Sequence, residues 1–136
     1  MPTAIPQTHS RRLFIVIGCA LVLAAGAGVA LAAAQARRDF DVVAYRYAYR
    51  VSGSDGPEIH VMQNDLVHIN FSTEDIPHSF TIEEPPYRIM RRAAAGKPVS
   101  FDFRADHPGR FRFYCNLTAD EKCREQHGTL IVEKGR

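Results

Sequence analysis

Hydrophobic and polar side chains alternate along most of the chain after residue 36, a pattern typical of β-strands with one buried face. Clusters of glycine, proline, asparagine and aspartate interrupt this alternation at roughly 8–12-residue intervals. The strand-like runs are Asp39 to Ser52, Ile59 to Val61, Val67 to Phe71, His78 to Ile82, Val99 to Phe103, Phe111 to Phe113 and Thr129 to Glu133. This number of short strands and this turn spacing predict an all-β protein, folded as an antiparallel sandwich.

The same pattern predicts which side chains form the core. The first run should be a single strand with Val43, Tyr45, Tyr47 and Tyr49 on one face. The other main core residues should be Val67, Ile69, Phe101, Phe103, Phe111 and Phe113. Tyr87 to Gly96 does not alternate, and it predicts a short helix or an irregular crossover between the two layers.

The start of the chain follows a different pattern. Leu13 to Ala36 contains 24 uncharged residues, and about 20 are needed for a helix to cross a bilayer. Arg11 and Arg12 precede it, as in a signal sequence or a positive-inside anchor, and the run Ser10-Arg-Arg-Leu-Phe resembles a twin-arginine export signal. We therefore expect one hydrophobic N-terminal helix in residues 1–36, acting as a signal sequence or membrane anchor, and a folded domain in residues 37–136.

This leader predicts where the domain lies. Small-residue patterns that permit cleavage occur at Ala30-Leu31-Ala32 and Ala34-Gln35-Ala36, so a cleaved and an anchored form both stay open. In either form we expect a periplasmic domain, soluble or held on the inner membrane by the N-terminal helix, in an oxidising compartment. From Asp39 onward 13 basic residues face 15 acidic ones, a net charge of −2, which argues against a nucleic-acid partner.

Candidate chemistry is concentrated in the loop between the last two predicted strands. Phe113 to Leu130 contains Cys115, Cys123 and His127, and His78 opens an earlier strand. In a sandwich, loops and strand ends of this kind come together at one end of the domain. Sulfur and imidazole groups held on a loop by a rigid scaffold suit a soft or borderline metal ion. These four residues are therefore a candidate metal site.

Three segments, in their order along the chain, resemble the cupredoxins. Gly109 to Cys115 (GRFRFYC) is similar to the strand that delivers the copper-binding cysteine of that family, and Asp75 to Phe80 (DIPHSF) is similar to the segment with its first histidine. Gly128 to Val132 (GTLIV) is similar to its closing strand. The resemblance covers Val42 to Glu133. It implies a cupredoxin-like antiparallel Greek-key β-sandwich that binds copper.

The spacing of the site residues resembles a variant of that family. Cys123-Arg-Glu-Gln-His127 is similar to the second half of the Cys-x3-Cys-x3-His-x2-Met pattern of the binuclear copper site in cytochrome c oxidase subunit II. Seven residues separate Cys115 from Cys123 where that pattern has three, and Leu130 replaces the methionine. In an alignment with blue-copper proteins, Gln126 takes the axial position, where glutamine is an accepted weak ligand. The implied copper ligands are therefore His78, Cys115, Cys123, His127 and Gln126.

Two other uses of the same side chains stay open. Exported cysteines often pair, and a Cys115–Cys123 disulfide would close a short loop with a stabilisation of roughly 2–3 kcal/mol. A set of two sulfurs and two imidazoles also suits zinc.

The resemblance implies an exported copper-binding protein that acts in one-electron transfer or copper handling near a respiratory complex, with a redox or copper-exchange protein partner. The alternative is a metal-free cupredoxin-fold interaction module with a structural disulfide. The sequence has no recognisable Ser-His-Asp arrangement, nucleotide loop or carboxylate pair, which favours a non-enzymatic role.

Overall fold

The computed structural model describes residues 36–135, which form two β-sheets that share one hydrophobic core. The strands are β1 Arg37–Tyr45, β2 Ala48–Val51, β3 Glu58–Met62, β4 Leu66–Thr73, β5 His78–Ile82, β6 Ile89–Ala93, β7 Val99–Arg104, β8 Gly109–Tyr114 and β9 His127–Glu133. A short 3₁₀ helix, Glu121–Glu125, precedes β9. One sheet has the strand order β2-β1-β4-β7 and the other the order β3-β9-β8-β5-β6. The prediction of an all-β fold is confirmed.

Both sheets are mixed, so the prediction of a purely antiparallel sandwich is wrong. β1 pairs with β4 in parallel, and β3 pairs with β9 in parallel, while the remaining pairs are antiparallel. Alternation along a strand indicates which face is buried but carries no information about the direction of its neighbour. Parallel pairs need long connections, and these two pairs have them.

The first alternating run contains two strands instead of one. A turn after Tyr45 separates β1 from β2, and Tyr47 in that turn is 37% exposed. The buried side chains of this hairpin are Val42, Ala44, Tyr49 and Val51. The predicted face was therefore wrong except for Tyr49. The two turn residues shift the alternation, so that even-numbered side chains point inward in β1 and odd-numbered ones in β2.

The segment predicted as a helix or crossover forms β6, an edge strand that pairs antiparallel with β5. Ile89 and Ala93 are buried, whereas the three residues between them are exposed, which hides the alternation of a strand. The guanidinium of Arg91 lies 5.3 Å from the ring centroid of Phe101. Its charged end thus covers an edge of the core and remains in water.

Aromatic side chains in the core fix the two strands that lead to the candidate site. Phe80 and Phe113 stack with ring centroids 4.6 Å apart, and Tyr49 packs edge-on against Phe113 at 5.1 Å. Of the predicted core residues, Val67, Ile69, Phe101 and Phe113 are buried, whereas Phe103 and Phe111 are half-buried against them. Phe80 lies two residues after His78, and Phe113 two residues before Cys115, so this packing holds both strand ends in place.

The predicted N-terminal helix and the division of the chain at residue 36 concern residues that lie, apart from Ala36, outside those the structure describes. Both stay predictions. Within residues 36–135, no helix has the length and the apolar composition needed to cross a membrane.

Candidate metal centre

Three of the predicted site residues converge at one end of the domain. His78 is the first residue of β5, Cys115 directly follows β8, and Cys123 lies in the 3₁₀ helix. Their relative exposures are 0%, 0% and 1%. One potential ligand atom from each lies within 4.8 Å of the other two, and the distance from Cys123 Sγ to His78 Nδ1 is 3.9 Å.

Local hydrogen bonds hold the cysteine loop against the sheet. The backbone N–H of Cys115 donates to the carbonyl of Gln126 at 3.3 Å, which closes the loop at its base. Asp120 caps the 3₁₀ helix, because its side chain accepts from Lys122 N–H at 3.1 Å and its carbonyl accepts from Cys123 N–H at 3.1 Å. The loop therefore presents the Cys123 side chain inward while its neighbours on both sides stay exposed.

Asp75 orients the imidazole of His78. Its Oδ1 lies 2.8 Å from Nε2 of the ring. Burial acts to raise the pKa of Asp75, but hydrogen bonds from the N–H of Ile76, from the His78 ring and from the N–H of Arg46 outweigh it and lower the pKa to about 2. The carboxylate is therefore ionised at neutral pH, and we assign the ring proton to Nε2 on this basis. Nδ1 is the other ring nitrogen, and it lies 3.9 Å from Cys123 Sγ.

Cys115 and Cys123 are joined by a disulfide, with their Cα atoms 5.2 Å apart and a sequence separation of eight positions. The backbone N–H of Ser79, next to His78, donates to Cys115 Sγ at 3.5 Å. A disulfide sulfur is not a thiolate, and the thiolate is the form that binds metals. The disulfide and a two-sulfur metal site are therefore alternative states of the same pair.

The other two predicted ligands differ in their placement. Gln126 is 1% exposed, and its Nε2 donates to the carbonyl of Ala48 at 2.7 Å. Its Oε1 has no hydrogen-bond partner among the described residues, although leaving a buried acceptor unpaired costs about 1–3 kcal/mol. His127 is exposed, and its Nδ1 contacts the carbonyl of Glu125 at 2.7 Å. Within residues 36–135, the converging group therefore does not include His127.

Sequence reasoning did not identify Asp75, which lies three residues before His78. Metal-binding histidines usually donate their second ring nitrogen to a carboxylate or carbonyl, and an acidic residue close to a candidate histidine was the available clue. Ser79 was also missed. Its hydroxyl bonds to Asn116, accepting from the backbone N–H and donating to Oδ1, both at 2.8 Å. These bonds link the start of β5 to the loop beyond Cys115.

The chemistry of these donors fits a soft or borderline metal. A reduced pair would offer two thiolates, His78 an imidazole nitrogen already held in its ligating orientation, and Gln126 an amide oxygen. Soft sulfur donors suit Cu(I) and zinc, imidazole suits copper and zinc, and a weak axial oxygen is known for copper sites. The residues present therefore fit copper, and they also fit zinc.

No protein-family model matches the sequence, and neither does any curated protein. Solved structures do match. A heme-copper terminal oxidase dimer shares 20% identity with a TM-score of 0.61 over 76% of this chain and 68% of its own. The periplasmic domain of cytochrome oxidase subunit II from Bradyrhizobium japonicum shares 14% identity, with a TM-score of 0.61 over 71% of this chain and 83% of its own.

A blue copper protein, auracyanin A from Chloroflexus aurantiacus, is similar with 15% identity and a TM-score of 0.56 over 71% of this chain and 99% of its own. A subunit II domain of cytochrome c oxidase, caught as a mixed disulfide with a thioredoxin-like protein, has 15% identity and a TM-score of 0.58 over 71% of this chain and 81% of its own. Two copper oxidases also match, and this chain spans 40% of the length of each. These likenesses concern the fold, and the fold is the one that the three sequence segments predicted: the chain has the cupredoxin fold.

Proposed function

We propose that this domain binds copper through His78, Cys115 and Cys123 once the disulfide is reduced, and that it serves one-electron transfer or copper handling near a respiratory complex. The observation that carries this proposal is the arrangement of the imidazole and the two sulfurs. They are fully buried, their ligand atoms lie within 4.8 Å of one another, and Asp75 turns the free nitrogen of His78 toward the sulfurs.

A structural disulfide alone does not account for the polar atoms around it. His78 is completely buried, and the one contact of its Nδ1 given by the described residues is a long one, 3.9 Å to Cys123 Sγ. Gln126 Oε1 is buried without a hydrogen-bond partner in the described part of the chain. Buried polar groups are normally paired. A metal ion held between the sulfurs would satisfy the imidazole, and the amide oxygen is the candidate for a weak further contact.

Copper, when bound, supplies a centre that changes its oxidation state by one electron. The protein supplies the rest: burial excludes water, Asp75 keeps the histidine in one tautomer and orientation, and Ser79 N–H stabilises negative charge on Cys115. Proteins of similar fold include a blue copper protein and a heme-copper terminal oxidase. This supports copper over zinc as the native metal. The oxidase-like spacing also implies His127 as a ligand. That role stays a prediction beside the set of His78, Cys115 and Cys123.

The location and the partner are part of the same proposal. The N-terminal pattern supports export and a periplasmic domain of residues 37–136, soluble or anchored to the inner membrane by the leader. A redox or copper-exchange protein is the expected partner for electron transfer or metal delivery. A thioredoxin-like dithiol protein is the expected reductant of the disulfide, since a similar subunit II domain forms a mixed disulfide with such a protein.

Copper binding by the reduced protein tests the proposal. The full chain is reduced without oxygen, freed of reductant, mixed with copper and passed through a desalting column before metal analysis and visible spectroscopy. We expect retained copper, with a thiolate-to-copper charge-transfer band if Cu(II) is held; a carrier of Cu(I) would keep the metal without colour. Cys115→Ser should abolish any band. Gln126→Ala should only shift it.

The second candidate function is a metal-free interaction module, and the disulfide itself is the observation that favours it. A reduced protein that retains no copper in the same experiment would support this module and contradict copper binding. Retention of zinc in preference to copper, measured by competition, would reassign the site to zinc.

A further inference from the structure

We propose that the exposed side of strand β6 is the docking surface for an acidic face of the redox or copper-exchange partner. This surface, the β6 surface, consists of exposed residues in and beside the strand: Arg88, Met90, Arg91, Arg92 and Lys97. The inference rests on the proposed function and deepens it, because it names the surface that the partner contacts and the charge of the partner's matching face.

Positive charge is concentrated at the β6 surface without a counter-charge. Residues 88–97 contain four basic side chains and no acidic one, although from Asp39 onward 13 basic residues face 15 acidic ones. All four basic side chains are exposed, and no ion pair within residues 36–135 includes any of them. A partner with carboxylates on its contact face would supply the missing charge, and complementary charge speeds and orients protein association.

The unpaired arginines of β6 differ from the charges on the other sheet edges. Edge strands commonly carry charged side chains that prevent pairing with other chains. The other three edge strands of the described sheets are β2, β3 and β7. Arg50 of β2 is paired with Glu74, whereas β3 carries Glu58 and β7 carries Asp102. Protection of an edge therefore does not require the run of unpaired positive charge that β6 carries.

The β6 surface adjoins the candidate metal centre in two places. In the pairing of β5 with β6, Ala93 lies opposite His78. The side chain of Met90 is 62% exposed, and its sulfur accepts a hydrogen bond from Nδ2 of Asn116 at 3.1 Å. Asn116 directly follows Cys115. A protein docked on the β6 surface would therefore lie next to two segments that carry the proposed ligands, as electron transfer or metal exchange requires.

The residue types of the β6 surface suit a protein partner better than a lipid surface. Methionine and arginine are enriched in protein interfaces, whereas lysine is depleted. The guanidinium of Arg91 is held in place, because it lies 5.3 Å from the ring centroid of Phe101 and its Nη1 donates to the carbonyl of Met90 at 2.8 Å. A planar guanidinium in a fixed position can bind a carboxylate through two hydrogen bonds. Attraction to an anionic membrane needs charge alone.

Binding of two redox proteins of opposite charge tests the chemistry of the partner. The probes are a plant-type ferredoxin, which is an acidic one-electron carrier, and mitochondrial cytochrome c, which is a basic one. The full chain in its metal-free disulfide form is immobilised, and binding is measured at low salt. We expect ferredoxin to bind more tightly than cytochrome c, with an affinity that falls at least tenfold at about 0.15 M salt because screening weakens attraction between exposed charges. Tighter binding of cytochrome c, or no binding of ferredoxin, would overturn the inference.

The position of the contact is tested with Arg92→Glu, whose matched control is Arg104→Glu. Both variants change the net charge by the same amount at an exposed arginine, but Arg104 lies on β7 of the other sheet. Arg92→Glu should weaken ferredoxin binding about tenfold and Arg104→Glu less than about twofold, because a charge acts mainly at the contact it faces. Arg92→Gln, which removes the charge without reversing it, should weaken binding about threefold. Equal losses for Arg92→Glu and Arg104→Glu would contradict docking at the β6 surface.

Vesicles of phosphatidylglycerol separate a protein partner from a membrane. They should bind the full chain with Arg92→Glu and the full chain with Arg104→Glu equally, because a diffuse layer of anionic headgroups responds to the charge of the whole chain. A loss of vesicle binding that is specific to Arg92→Glu, without a matching loss of ferredoxin binding, would assign the surface to anionic lipid and overturn the inference.

The two proposals fail separately. Ferredoxin binding is measured with the metal-free disulfide form, so it reports on the β6 surface whether or not the protein binds copper. Copper retention by the reduced protein reports on the proposed function alone, and Arg92→Glu should leave it unchanged.

Discussion

Asp75 bonds to Nε2 of His78 at 2.8 Å, and this contact decides which ring nitrogen faces the sulfurs. The same carboxylate accepts from the N–H of Ile76 at 2.6 Å and from the N–H of Arg46 at 2.8 Å. The loop before β5 therefore fixes the carboxylate, and the carboxylate fixes the ring. Preorganisation of this kind lowers the cost of metal binding because the ligand needs no reorientation.

Asp75→Asn should weaken copper binding by the reduced protein about tenfold, at the lower end of the effect typical for partners of metal-binding histidines. The amide keeps the size of the carboxylate but loses its charge. Affinity is measured by competition with a copper chelator. Asp102→Asn is the control, since Asp102 bonds to His68 at the same distance of 2.8 Å on strands of the other sheet. Equal affinities for both variants would show that Asp75 does not orient a ligand.

His78→Ala should abolish copper retention by the reduced protein, whereas His127→Ala should leave it within about twofold, because a surface substitution away from a site has little effect. The reason is placement: His78 is buried beside the sulfurs, and His127 is exposed. Metal analysis after desalting measures both. If His127→Ala also loses copper, the oxidase-like spacing describes the loaded site and the loop must change its conformation on binding.

The sequence could predict that His78, Cys115 and Cys123 meet, because each lies at a strand end or on a loop that the topology brings to one end of the sandwich. It could not decide between Gln126 and His127. Gln126 directly precedes β9 in extended backbone and His127 is the first residue of the strand, and neighbours along an extended chain point to opposite faces. A shift of one residue in register would exchange the buried side chain for the exposed one, and only the three-dimensional structure fixes that register.

Among the strands, β9 is tied to β8 by a close contact between Gly128 and Phe113, which are register partners. A Cβ at Gly128 would collide with the ring of Phe113 and with the carbonyl of Pro57. Both neighbours are held in place, the ring by the aromatic core and the carbonyl by its bond from Thr129 N–H at 2.9 Å. Glycine is therefore required at this position for space.

Gly128→Ala should lower the free energy of unfolding by about 1–3 kcal/mol, the usual cost of forcing an extra methyl group into a packed interior. Urea unfolding followed by circular dichroism measures it. Gly56→Ala is the control, because a Cβ there meets nothing within 4 Å. A change at Gly128 as small as that at Gly56 would mean that β9 packs less closely on β8 than described.

Alternation was sufficient to find most strands, and the exceptions have physical causes. β6 was not predicted as a strand, because it lies at the edge of its sheet and its three central residues are all exposed. Only Ile89 and Ala93 are buried. The hairpin of β1 and β2 escaped because its turn contains an aromatic residue, Tyr47, in place of a glycine or proline. The two parallel strand pairs were not predicted, because the direction of pairing depends on how the strands are connected across the whole sheet.

For the molecule as a whole, the disulfide and the metal should stabilise the same fold in turn. Reduction should lower the free energy of unfolding by roughly 2–3 kcal/mol, as expected for a short closed loop. Copper at a free concentration of a hundred times its Kd for the reduced protein should then raise the free energy of unfolding of that protein by about 2.7 kcal/mol. Thermal unfolding measures both steps. The double variant Cys115→Ser, Cys123→Ser should respond to neither reductant nor copper, and a reduced wild-type protein that copper fails to stabilise would contradict the shared site.

β9 is the last strand of the described chain, yet it lies inside its sheet between β3 and β8. Until it is in place, β3 has no neighbour, so the sheet is completed only by contacts between distant parts of the sequence, which form slowly. Cys115 and Cys123 are only eight positions apart, and a loop of that length closes early in an unfolded chain. The two sulfurs therefore meet without the finished sheet, and where an oxidant is present the disulfide forms whether or not His78 already lies beside them. A molecule with this disulfide would have no thiolate to offer a metal ion, and reduction of the disulfide would be the step that makes the site available.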